Sequence, residues 1–239
     1  MPRTKMTRHE LKEQDEITTS LQNFTEYVVR YKKEVTTTVG IVAALAIIIL
    51  GWSYYRSSRN ARAEAELSQA IDTFNDTTNI KSDKERYEKT LAAAQKTYDQ
   101  YRSLPAGNIA LYYMGLSQDG LGDTAKSVQT LQQVADNGDA SVKSVAQFAL
   151  GSIYKKHGDN QKAIDVYKRL YDTGGYSKAA VAYELASLYE ANNQPDQAKD
   201  YYQKVVTEFP DSPFRTNADD ALKRLGVTAT PPVPVQRPS

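Results

Sequence analysis

Residues 112–131 read YYMGLSQDGLGDTAKSVQTL, 148–167 read FALGSIYKKHGDNQKAIDVY, and 183–202 read YELASLYEANNQPDQAKDYY. Stacked on one another, they put Gly115, Gly151 and Ala186 in equivalent places, 36 and 35 residues apart. Met114, Leu150 and Leu185 precede these small residues. Tyr154 and Tyr189 match three residues further on, where the first copy has Gln118. Ser127, Ala163 and Ala198 follow, and four residues later come Leu131, Tyr167 and Tyr202. This spacing describes a helix hairpin. The first set of small residues lets two helices approach closely, and the second set does the same on the facing helix, with a large side chain one turn on to fill the gap. Gly122-Asp123, Gly158-Asp159 and Asn193-Gln194-Pro195 break the chain between the helices, with Asp or Asn available as the next helix's N-cap. One hairpin cannot bury its own apolar face, so the copies must stack.

Working outward, the repeats run over about 108–141, 144–177 and 179–212, with a capping helix at 213–225. Upstream, Phe74, Leu91, Ala94, Tyr98 and Tyr101 predict a linking helix and a degenerate first hairpin within 56–106. Downstream, 226–239 holds four prolines and reads as an extended, disordered tail. The 17 tyrosines, against 5 Phe and 1 Trp, are mostly repeat packing.

Val35–Tyr55, VTTTVGIVAALAIIILGWSYY, carries no charge. At about 1.5 Å per residue its length matches the roughly 30 Å of a bilayer's hydrocarbon core. Trp52, Tyr54 and Tyr55 crowd one end, as amphipathic rings do at a headgroup layer, and Arg56 follows as a charged stop. A signal peptide would have a shorter apolar run and a shorter, basic lead. The expectation is therefore an uncleaved single-pass anchor at 35–55. Before it, in 1–34, Ile17, Leu21, Phe24, Val28, Tyr31 and Val35 form one apolar stripe of an amphipathic helix. Seven Lys/Arg precede the span and seven lie within the 34 residues after it, so charge does not orient it.

Composition removes several function classes. With no cysteine and only two histidines, His9 and His157, the chain offers no thiol nucleophile, thiolate zinc site or His-rich metal centre. A net charge of +1 gives no basic face for nucleic acid. Gly120-Leu-Gly122-Asp-Thr-Ala125 imitates a dinucleotide fingerprint, but it follows a helix rather than a strand. Ala125 also stands where a P-loop needs glycine before its lysine. No enzyme activity, cofactor, metal or small-molecule substrate is expected.

The small-residue, Tyr, Ala and Tyr/Phe pattern resembles the tetratricopeptide repeat (TPR), with Leu111, Gln147 and Ala182 where that repeat has its early Trp. Glu208-Phe209-Pro210-Asp211-Ser212-Pro213, followed by Ala218, Ala221, Leu222 and Leu225, resembles the linker and terminal helix of bacterial envelope TPR proteins. The fold so implied is all-α, an N-terminal amphipathic and transmembrane helix followed by an α-solenoid of stacked hairpins. The arrangement as a whole includes Gly51-Trp52-Ser53-Tyr54-Tyr55 and the helix Asn60-Ala61-Arg62-Ala63-Glu64-Ala65 before the repeats. It is similar to the family of the ancillary SecYEG translocon subunit, whose TPR domain is shared with the cell-division coordinator of the Tol-Pal system. That resemblance implies a bacterial inner-membrane protein with a cytoplasmic N-terminus and a periplasmic TPR domain. It also implies translocon subunits and client polypeptides as partners and a chaperone or adaptor role. A scaffold in outer-membrane assembly or cell division, and a eukaryotic organelle-membrane TPR receptor, fit the same topology. By the geometry of the repeat, the concave wall is lined by Ile109, Tyr112 and Leu116, by Val145, Phe148, Ser152 and Lys155, and by Tyr183 and Ser187. This set suits a peptide with apolar side chains.

Overall fold

Each hairpin is set by how its first helix ends. In the computed structural model, which describes residues 25–27 and 29–227, the turns use Gly122 (φ 88°), Gly158 (φ 81°) and Asn193 (φ 55°) in the left-handed region. In each, the next N–H reaches back five residues to a carbonyl: Asp123 to Gln118, Asp159 to Tyr154 and Gln194 to Tyr189, all at 2.9 Å. A Schellman turn of this kind satisfies carbonyls a helix end would otherwise leave open. Gly226 (φ 78°) repeats it, with Val227 N–H on Leu222. Only the first hairpin uses its acid as expected, Asp123 accepting from Lys126 N–H at 3.2 Å. Asp159 instead pairs with Lys162 at 2.9 Å. In the third hairpin the left-handed turn takes Asn193, so Gln194 holds the cap position.

The elements in order are α1 (Lys32–Asn75), α2 (Asp83–Tyr101), α3 (Pro105–Gly120), α4 (Thr124–Asn137), α5 (Ala140–Lys156), α6 (Asn160–Thr173), α7 (Lys178–Ala191), α8 (Pro195–Glu208) and α9 (Arg215–Arg224). No strand occurs among the described residues. The repeats' first helices start one to four residues before the 108, 144 and 179 read from the sequence. Pro105 opens α3 at a first-turn position, and Asp139 and Ser177 precede α5 and α7 as N-caps.

The chain divides into two units, residues 1–59 and 60–239. In the first, α1 carries Val39, Ile41, Val42, Leu45 and Ile47–Leu50 exposed at 53–70 %. It is long and apolar enough to cross a membrane, and none of its apolar stretch is buried against protein. Thr36, Thr37 and Thr38 donate their hydroxyls to carbonyls four residues back at 2.6–2.9 Å, which leaves no free donor on their side chains. The apolar stripe expected upstream falls mostly outside the described residues, as do 228–239.

In the second unit the hairpins pack as the small residues dictate. A Cβ on Gly115 would lie 2.6 Å from Leu131, and one on Gly151 2.6 Å from the Tyr167 ring. Ser127 Oγ donates to the Gly115 carbonyl at 2.7 Å, so the small residue on the second helix also ties the crossing. Leu131, Tyr167 and Tyr202 are buried to 2 % exposure or less. Burying side chains of this size is worth about 1.5–3 kcal/mol each. Ala63, Leu67 and Ala70 of α1 join Ala94 of α2 and the α3–α6 residues in one core, with Glu66 3.5 Å from Lys96. α9 closes the far end with Ala218, Ala221 and Leu222.

Candidate peptide-binding groove

The first helices of the repeats, α3, α5 and α7, supply one side of the solenoid. Tyr112, Leu116, Val145, Phe148 and Ser152, all expected there, line a single cleft of about 410 Å³. The structure adds Phe74 from the end of α1, Tyr87 from α2, Asp119, Gly120 and Lys156 from the helix ends, and Tyr176 from the α6–α7 loop. Gly174 and Gly175, at φ 75° and 87°, turn that loop so that Tyr176 stacks on Phe148, with centroids 4.3 Å apart and planes 18° apart. Phe74 sits 5.9 Å from Tyr87 and 5.2 Å from Tyr113, which meets Tyr112 edge-on at 5.4 Å. A Cβ on Gly120 would strike the Tyr87 ring, so glycine lets that ring pack closely here. Burial, with the neighbouring Tyr113 and Tyr176 hydroxyls, pushes Tyr112 up to about 12.

The other expected residues are placed differently. Lys155 donates to Glu184 at 2.7 Å and to Ser187 at 3.0 Å, a polar bridge from α5 to α7. Tyr183 stacks on Phe214 at 5.3 Å and meets Tyr202 edge-on, so the cap segment takes that ring. Ile109 is half-buried against the first core.

Charge in the cleft is confined to one rim. Asp119 bonds Lys156 at 2.8 Å, His157 Nε2 at 2.9 Å and Thr124 at 3.1 Å. Burial alone would raise its carboxyl. The hydrogen bonds from Lys156 and His157, the Lys156 charge and the Thr124 hydroxyl outweigh that and hold it below the usual carboxylate value. His157 thus ties two repeats together beyond the C-terminal end of α5. Asp119 stands at the repeat position equivalent to Lys155, and Phe74 was legible as an apolar residue of the degenerate hairpin. Nothing in a repeat pattern points to Tyr176, which lies in a linker.

Stacked hairpins with capped left-handed turns and an aromatic cleft are one architecture, and a family model described as a tetratricopeptide repeat-like domain matches residues 29–225. The chain belongs to that family. The matched range takes in α1 as well as the TPR hairpins. No curated protein matches the sequence. Among solved structures, the nearly identical TPR-like repeats assigned to a kinesin light chain of Podosopora anserina are similar, with a TM-score of 0.54 and 17 % identity. The match covers 70 % of this chain and 86 % of that one. A single-substitution variant of the same repeats gives 0.53, 16 %, 70 % and 85 %. At that identity the likeness establishes the TPR fold alone. TPR domains are in general protein-interaction scaffolds, and no enzyme family matches this one.

Proposed function

We propose that the chain is a single-pass, membrane-anchored adaptor whose TPR cleft holds an apolar polypeptide segment. The observation that carries this reading is the cleft, where five aromatic rings from three hairpins and a linker converge around Val145 and Leu116. Rings of this kind supply contact area at low entropic cost. The anchor is supported by the exposed apolar stretch of α1 and by Trp52, Tyr54 and Tyr55, exposed at 58–79 % at one end of it beside Arg56. Tethering raises the local concentration of the cleft at the membrane. Resemblance to the ancillary translocon subunit favours a bacterial inner membrane, a periplasmic TPR domain and clients emerging from the SecYEG translocon.

Tyr112→Ala with Phe148→Ala tests the groove in the full-length protein in detergent. The pair is expected to lower client capture at least tenfold while the helical content and melting cooperativity persist. Undiminished capture refutes the groove. Tyr183 is the wrong probe, since its loss would undermine the cap through Phe214.

A second reading, a scaffold in outer-membrane assembly or cell division, draws on another aromatic cluster. Tyr189 and Tyr201 stack at 5.6 Å, Tyr171 meets Tyr201 edge-on, and Lys204 lies 4.6 Å over Tyr201. In-membrane crosslinking separates the two readings, since translocon neighbours favour the first and division or assembly neighbours the second. Protease protection on intact cells decides the side of the membrane, and with it the eukaryotic-receptor topology.

A further inference from the structure

Two of the three equivalent rings of the groove receive a second ring from the chain itself. The linker after the second hairpin lays Tyr176 on Phe148, with centroids 4.3 Å apart and planes 18° apart. The segment after the third hairpin lays Phe214 on Tyr183, at 5.3 Å and 26°. The linker after the first hairpin is Gly138-Asp139 and contains no ring to lay on Tyr112. Tyr176 follows Phe148 by 28 residues, and 28 residues after Tyr112 stands Ala140. Among the described residues no ring lies parallel to Tyr112, since its neighbour Tyr113 meets it at 79°. Tyr112 instead lines the cleft of about 410 Å³.

The charges around the cleft match an uncharged occupant. Asp119 and Lys156 are bonded to each other at 2.8 Å, and Asp119 also engages His157 and Thr124. The Arg86 guanidinium lies 5.2 Å over the Tyr87 ring, where an incoming cation would sit, and is itself paired with Asp83 at 2.7 Å. A charged side chain entering the cleft would lose its water without gaining an uncommitted counter-charge. A neutral aromatic side chain pays no such cost, and offset-stacked rings attract beyond the area they bury.

We propose that the cleft takes an aromatic side chain of a partner polypeptide, stacked on Tyr112 as Tyr176 is on Phe148 and Phe214 on Tyr183. The proposal rests on the cleft being a peptide groove, and it names the side chain that groove selects. The partner's ring completes a ladder whose other two rungs the chain fills by itself. Leu116 and Val145, which line the same cleft, are left to the apolar neighbours of that ring.

The probes are two fluorescein-labelled apolar peptides that differ at one position, which holds phenylalanine or cyclohexylalanine. The second keeps the size and apolarity of the first and lacks its π system. With the full-length protein in lipid nanodiscs, the phenylalanine peptide is expected to bind about threefold to tenfold more tightly, the range of a ring–ring contact. Tyr112→Leu, which keeps an apolar wall, is expected to abolish that preference. A benzoylphenylalanine at the same position is expected to crosslink the unsubstituted protein within the cleft, at Leu116 or Val145, a readout that needs no variant to fold. No binding of the phenylalanine peptide, equal affinities, a preference that survives Tyr112→Leu, or crosslinks confined to other faces overturn the proposal. If the affinities are equal while Tyr112→Ala/Phe148→Ala still loses clients, the aromatic selection falls and the groove stands. If that pair keeps its clients, the groove reading falls and this proposal with it.

Discussion

Tyr167 and Tyr202 hold the same place in successive repeats and are buried to 0 and 2 % exposure, yet their hydroxyls are treated oppositely. Tyr202 donates to Glu190 Oε2 at 2.8 Å. The Tyr167 hydroxyl has no hydrogen-bond partner in the protein. One repeat earlier, the residue equivalent to Glu190 is Lys155, whose ammonium is turned to Glu184 and Ser187. Lysine has no acceptor to offer. Removing the two hydroxyls should therefore have opposite signs. Tyr202→Phe forfeits a hydrogen bond to a charged group, a loss of about 1.5–3 kcal/mol in general. It should fall at the lower end here because the Glu190 side chain is 31 % exposed and keeps Arg224 at 3.5 Å. Tyr167→Phe removes a buried, unpaired hydroxyl, so it should be neutral or stabilise by about 1 kcal/mol. At about 2–4 °C per kcal/mol for a domain of this size, the two melting temperatures should move apart by several degrees. Thermal and urea unfolding of the full chain in detergent, followed by far-ultraviolet circular dichroism, reads both. A loss above about 1 kcal/mol in Tyr167→Phe, or equal losses in the two variants, would refute the reasoning, since unlike neighbours would then not have unlike effects.

Gly151→Ala should destabilise by about 1–3 kcal/mol despite alanine's better helix propensity, because its methyl meets the immobile Tyr167 ring; denaturant midpoints measure it. Tyr112, Tyr167 and Tyr202 all have their phenols raised, chiefly by burial. The native state thus keeps protons that the unfolded chain releases near pH 10, so stability is full below pH 10 and falls as pH rises through the folded values. Tyr112, at about 12, should alone account for about 2–3 kcal/mol, read from urea midpoints alongside tyrosinate absorbance. The Asp119 carboxyl is held low in the folded state, so its contribution is complete above its ordinary value of 3.8 and disappears as pH falls through the lower folded value. Asp119→Asn should cost about 1–2 kcal/mol at neutral pH and flatten that acid limb of a stability–pH profile.

The fold was legible because its determinants are local and repeated. Gly115, Gly151 and Ala186 announce close crossings, Leu131, Tyr167 and Tyr202 the side chains that fill them, and Gly122, Gly158 and Asn193 the turns. The site was half legible. Tyr112, Leu116, Val145, Phe148 and Ser152 share a cleft because the repeat register alone puts them on one wall. Lys155 and Ser187 did not join them, since the register says nothing of the bridge in which the Lys155 ammonium donates to both Glu184 and Ser187. Phe74 and Tyr87 belong to a hairpin too irregular for a register, and their packing on Tyr113 and Gly120 depends on contacts distant in sequence.

The least legible determinants are the linkers, which set what each rung of the aromatic ladder packs against. Tyr112, Phe148 and Tyr183 are equivalent by register, but each is followed, after its hairpin, by a different connection. The first is Gly138-Asp139, which carries no side chain long enough to reach back across a helix. The second delivers Tyr176, whose ring stacks on Phe148, and both line the cleft. The third delivers Phe214, and the half-buried Tyr183 ring contacts both it and Tyr202. All three rings of the ladder are half-buried, but only Tyr112 and Phe148 line the cleft, with no change in the inward-facing code. A repeat consensus specifies a groove of uniform character. Here two aromatic residues outside the consensus convert it into a single cleft near the first repeat, at the end bounded by α1 and α2.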